Sequence, residues 1–219
     1  MPFSPLHLLA FLFLLAFLLA FVQVGLVTLA FEKLGLSTGQ GMLLLFSSLV
    51  GSAINLPLFK VRSEPPPEGE FIPPPLRGLL FPQVPEGYTV IAVNVGGCLI
   101  PLAFSLHLML DGRAPILEAL AATALVAAVS YRFARPIPGL GIGMPLLLPP
   151  LAAALVALLL DSTHSAPLAY VGGTLGVLLG ADVLHLKDVR RLGAPVASIG
   201  GAGTFDGIFL TGIVAVLLA

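Results

Sequence analysis

Long apolar runs separated by short polar stretches organise the whole chain. A helix needs about 20 predominantly apolar residues to cross about 30 Å of hydrocarbon. Seven runs approach that length: Pro5 to Phe31, Gly41 to Phe59, Thr89 to Leu110, Ala114 to Tyr131, Leu140 to Leu160, Ala166 to Leu186 and Ala197 to Ala219. The fourth is short and the seventh stops at the last residue, so six spans with one re-entrant segment is the alternative count. The pattern predicts an all-α, polytopic transmembrane helix bundle of six or seven spans, forming one transmembrane domain over residues 1–219.

Composition agrees, since 58% of residues are hydrophobic and 10% are charged, too few polar groups to cover a water-soluble globule. The lipid bilayer is therefore the first expected partner. No basic patch with interleaved aromatics is present, so nucleic acid is excluded as a partner. The single cysteine, Cys98, lies in an apolar run and is expected to be a small packing residue. The first run has no basic residue before its apolar core, which exceeds the length of a signal-peptide core. It is expected to remain as an anchor.

Charge gives the run pattern a direction. In the seven-span count Lys60, Arg62, Arg77, Arg132, Arg135, Lys187, Arg190 and Arg191 share one side, and only Lys33 and Arg113 fall on the other. The positive-inside rule then predicts a cell (inner) membrane protein with a cytoplasmic N-terminus. The connector over residues 61–88 carries eight prolines, in runs such as Pro65-Pro66-Pro67 and Pro73-Pro74-Pro75, and is expected to be an extended Pro-rich cytoplasmic loop.

Within the runs, glycine and proline fall where a helix would break: GSAINLP around Asn55, AVNVGGCLIP around Asn94 and PIPGLGIGMPLLLPP after Arg135. Breaks at membrane depth need protein or a wet cavity to satisfy the freed backbone, so Asn55 and Asn94 predict an internal polar cavity. In the sixth run Gly172, Gly176 and Gly180 form a small-xxx-small ridge for close helix packing. At 100° per residue, Asp182 points about 160° away from Gly180. His185 follows three residues on. On the next run Gly201, Gly203 and Thr204 precede Asp206. A carboxylate at membrane depth costs about 2.5–3.5 kcal/mol on insertion scales and marks a functional site by default. If the seventh helix starts near Ala197, Asp182 and Asp206 lie near the same leaflet boundary and are placed to share a proton. The Asp182-His185 pair alone offers two ligands, short of a metal site. No phosphate-binding loop is present. Neither a metal nor another cofactor is expected.

The stretches GADVLHL, SIGGAGTFDGIFLTGIVAVLLA, GSAINLPL and VNVGGCLIPL resemble an uncharacterised prokaryotic membrane family, domain of unknown function sixteen-fourteen. That resemblance covers most of the chain and implies a polytopic membrane fold with no established activity. Asp182 on an inward sixth span and Asp206 on an outward seventh, after a Gly-rich segment, are also similar to the presenilin and signal-peptide-peptidase class. This second resemblance implies an intramembrane aspartyl hydrolase with Asp182 and Asp206 as its catalytic dyad, acting on transmembrane helices.

The competing class is a proton- or cation-coupled secondary transporter or channel moving small ions. It is motivated by the broken runs and by a possible inverted repeat, VGGCLIPLAFSLHL in the third run against VGGTLGVLLGADVLHL in the sixth. A third class is a non-catalytic membrane assembly protein in which the aspartates merely bond across helices.

Overall fold

The computed structural model describes residues 23–63, 87–137, 141–191, 196–201 and 207–219. Most of the expected first span and most of the Pro-rich loop lie outside the described residues. Helices dominate: α1 Gln23–Lys33, α2 Thr38–Gly51, α3 Ile100–Leu110, α4 Ile116–Phe133, α5 Leu148–Leu160, α6 Ser165–Val177 and α7 Gly207–Leu218. Two π-helical turns extend them. Val95–Leu99 leads into α3, and Leu178–Val183 continues α6.

The expectation of an all-α bundle is corrected by five short strands. β1 Asn55–Arg62, β2 Tyr88–Asn94 and β5 Val196–Ile199 form one sheet in the order β1-β2-β5. β1 and β2 are antiparallel, from Asn55 opposite Asn94 to Arg62 opposite Tyr88. β2 and β5 are parallel, with Val90 opposite Val196 and Val93 opposite Ile199. β3 Arg135–Ile137 and β4 Gly141–Gly143 make a separate two-stranded ribbon. The runs expected as second, third, fifth and seventh spans therefore each divide into a helical part and a strand. The physical reason lies in composition. Tyr88–Asn94 is YTVIAVN, rich in the β-branched residues that fit a pleated surface, while an apolar run of that length does not by itself separate a buried strand from helix. Pro57 sits on edge strand β1, beside an irregularity in its register, where its missing N–H costs no central ladder bond.

The span count changes accordingly. Two helices are long and apolar enough to cross a membrane, α4 and α6 with its π-helical continuation (Ser165–Val183), and α1 with α2 make a third if counted as one span bent by 109°. The fourth run, expected to be short, is thus one of the two full-length ones. α5 has 13 residues and exposes Leu151, Leu155, Leu158 and Leu159, while α2 exposes Leu43, Phe46 and Val50. Such apolar outer faces suit contact with lipid.

α6 is the core of the molecule and packs against α4, α5 and α7. Leu168, Ala169, Tyr170 and Val171 are fully buried. Its glycine ridge lies on α4: a Cβ at Gly172 would meet the Ala122 side chain at 2.9 Å, one at Gly176 the Val126 side chain at 2.6 Å, and one at Gly180 the Ala127 carbonyl oxygen at 2.3 Å. Three turns of small residues let the two full-length helices approach more closely than any larger side chain permits.

A polar crossing at the strand ends

The carboxyl ends of the parallel strands β2 and β5 meet the start of α3 and the π-helical end of α6. Each strand closes with a polar residue, an apolar residue and two glycines: Asn94-Val95-Gly96-Gly97 after β2 and Ser198-Ile199-Gly200-Gly201 after β5. Gly200 and Gly201 have φ of 85° and 90°, a left-handed backbone that glycine alone adopts without strain. The glycines also touch. A Cβ on Gly200 would lie 2.6 Å from the Gly97 carbonyl carbon and 2.7 Å from Cys98, and one on Gly96 would lie 1.9 Å from the Ser48 carbonyl oxygen at the end of α2.

Hydrogen bonds lock this crossing. Asn94 is 1% exposed. It caps the π-turn by accepting from Gly97 N–H at 2.7 Å, and its Nδ2 donates to the Ser52 carbonyl at 2.7 Å and to Asn55 Oδ1 at 3.0 Å. Ser198 Oγ donates to the same Asn55 oxygen at 2.6 Å. Asn55 and Asn94, expected to line a cavity, are brought together, but as a satisfied network joining α2, β1, β2 and β5. Ser52 and Ser198 were not among the expected residues. The signal for Ser198 was legible, because it stands two residues before a Gly-Gly pair just as Asn94 does.

Asp182 completes the crossing. Its position on the π-turn, one turn beyond the ridge that faces α4, directs the carboxylate towards β5. There Gly200 N–H donates to Oδ2 at 2.7 Å. The side chain is half-buried. Among the described residues Gly200 N–H is its one hydrogen-bond donor, and no cation forms an ion pair with it.

His185 does a different job. Its Nδ1 lies 3.0 Å from the Gly180 carbonyl oxygen, which is an acceptor only, so Nδ1 carries a proton and donates to it. A π-turn displaces the regular bonding of its carbonyls, and His185 satisfies one of them. The ring is 7% exposed and lies 4.8 Å from the Tyr131 ring, centroid to centroid. Gly201 follows Gly200 in the crossing, its N–H donating to the Ser198 carbonyl. Gly203, Thr204 and Asp206 lie outside the described residues, and with them the expected dyad.

The postulated inverted repeat does not correspond to repeated structure. Val95–Gly97 opens the π-turn before α3, whereas Val171–Gly173 lies inside α6. The recurrence that the structure does contain is the polar-apolar-Gly-Gly ending of the two parallel strands. No group of three or more His, Cys, Asp or Glu among the described residues is placed to hold a metal ion.

No curated protein and no solved structure matches the chain, and the likeness to presenilin-type proteases gains no support from them. A family model, described as Protein of unknown function (DUF1614), matches residues 49–218. That interval is well over half of the chain and includes β1, β2, β5, Asn55, Asn94, Asp182 and Ser198, so the chain belongs to this family of unknown function.

Proposed function

We propose that the protein is a multi-pass protein of the cell (inner) membrane, with its N-terminus in the cytoplasm, and that it is a proton- or cation-coupled transporter or channel. Asp182 is the group that takes up and releases the charge. One observation carries this proposal: a half-buried carboxylate at the end of a full-length apolar helix has one backbone N–H as hydrogen-bond donor and no ion pair among the described residues, the nearby His185 being the basic group that acts on it. A carboxylate with so little compensation holds a proton or a small cation. The surroundings support the same role. Non-helical backbone meets the end of a membrane helix at this point, as in transporters whose interrupted helices frame an ion site.

The test is Asp182→Asn in proteoliposomes. The amide oxygen still accepts from Gly200 N–H, so the fold is retained, while the exchangeable charge is removed. Ion-coupled flux, followed by a pH-sensitive dye and by cation-selective electrodes, should be lost with unchanged thermal unfolding. Full flux in a folded D182N protein would overturn the proposal.

A further inference from the structure

The full-length helix α4 ends in aromatic and basic residues. Its last turn reads Ser130-Tyr131-Arg132-Phe133, and Tyr131 and Phe133 are 52% and 46% exposed. The backbone turns extended at Ala134, and β3 begins one residue later. Between this helix end and the β3–β4 ribbon lies an open cleft of about 470 Å³, lined by Phe133, Arg135, Pro136, Ile137, Gly143 and Pro145. Gly143 gives the Ile137 side chain its place, since a Cβ there would collide with it. The volume falls within the range of about 300–1,000 Å³ typical of small-molecule sites. Arg135 is the one charged side chain in an otherwise apolar lining.

A second charge stands beside it. The Arg132 guanidinium carbon lies 5.9 Å from the centroid of the Phe133 ring, a cation–π distance, so Arg132 borders the cleft that Phe133 lines. The 3-10 turn Asp188–Arg191 packs against β3 and carries an exposed Arg190. Among the described residues Arg132, Arg135 and Arg190 form no ion pair, with Asp188 or with any other carboxylate. At the opposite end the cations are engaged by the protein, with Lys33 and Arg113 bonded to helix carbonyls.

Apolar surface next to unpaired guanidiniums fits a ligand that is apolar at one end and anionic at the other. Guanidinium groups grip phosphate oxygens in pairs, and aromatic residues at the end of a span favour the level of the headgroups. The negative end of the α4 dipole disfavours an anion, but it amounts to about half a charge against two whole charges on Arg132 and Arg135. We infer that the cleft between α4 and the β3–β4 ribbon binds the headgroup of an anionic phospholipid, with Arg132 and Arg135 on the phosphate and Phe133 and Ile137 against the apolar part. This rests on the membrane placement in the proposed function and is independent of transport.

The test titrates the full chain in neutral detergent with phosphatidylglycerol and with phosphatidylcholine of the same acyl chains, counting bound lipid by native mass spectrometry. One phosphatidylglycerol should be held in preference, by about fivefold for each arginine and so about 25-fold for the pair. Arg132→Gln with Arg135→Gln should abolish the preference at unchanged thermal unfolding, because both side chains are exposed. Lys60→Gln with Arg62→Gln, exposed on β1 and outside the cleft lining, should keep it. A parent without preference overturns the inference, as does an equal loss in both double variants, which would mean a diffuse field in place of a site. Excess glycerol 3-phosphate should leave the lipid bound; its displacement at matched concentration would assign the cleft to a soluble phosphate and overturn the lipid. If D182N keeps its flux, the transport reading fails, and these titrations still decide the lipid site.

Discussion

At the scale of single residues, glycine sets the site more than any charged group does. Gly200 combines a φ of 85° with van der Waals contact to Gly97 and Cys98, and its N–H is the donor that Asp182 accepts. Gly200→Ala should therefore be costly in two ways, with about 1–3 kcal/mol for the backbone conformation and a steric clash in addition. Urea or thermal unfolding in detergent should show a loss of at least that size, whereas Gly39→Ala, where a Cβ meets nothing within 4 Å, should change stability far less. The sequence made part of this site legible. Asp182, Asn55 and Asn94 stand out as polar residues in apolar runs, and the structure gathers them at one crossing. What it did not reveal is that the two asparagines bond each other across antiparallel strands, because that pairing depends on a register in which Asn55 faces Asn94.

At the scale of elements, the ends of the helices explain the two basic residues that break the charge asymmetry. Lys33 Nζ donates to the carbonyls of Val216 and Leu217 at 3.3 and 3.4 Å, so the end of α1 closes the C-terminus of α7. Arg113 Nη1 donates to the carbonyls of Leu34 and Gly35 at 2.9 Å each, closing the C-terminus of α1. Both are cations at the negative end of a helix dipole, with direct bonds to otherwise free carbonyls. Lys33→Ala and Arg113→Ala should each cost about 0.3–1 kcal/mol, measured as a shift in thermal unfolding, and Arg113→Lys should recover part of that loss. Helix positions were largely legible from the apolar runs, and α4 and α6 fall close to where those runs predict them. The strands were not, because a membrane run and a buried strand share the same apolar content, and only the β-branched residues in YTVIAVN separate them. The glycine ridge was legible in full, since its spacing of four fixes one helix face and the structure seats that face on α4.

At the scale of the whole molecule, the polar chemistry divides between two ends. The sheet end holds Asp182, Asn94 and His185, while the connection from α5 to α6 holds an Asp161–His164 pair at 2.6 Å. Asp161 also accepts from the N–H groups of Thr163 and His164. The His164 ring, followed by the Thr163 N–H, holds the Asp161 carboxyl below its usual value. A depressed folded-state value stabilises the fold above the unfolded carboxylate range and loses that contribution as pH falls through the folded value. Acidification from pH 7 towards pH 3 should thus lower the melting temperature of the parent protein more than that of Asp161→Asn, read by tryptophan-independent light-scattering or dye-binding scans. The parallel pairing of β2 with β5 has a consequence for biosynthesis. About a hundred residues separate the two strands, so a ribosome releases α3, α4, α5 and α6 before the strand that completes the sheet exists. During that interval the carboxylate of Asp182 lacks the Gly200 amide and Asn55 lacks the Ser198 hydroxyl. The nascent protein is then an intermediate with unmet polar groups, the state in which chaperones and quality-control proteases have the most to recognise.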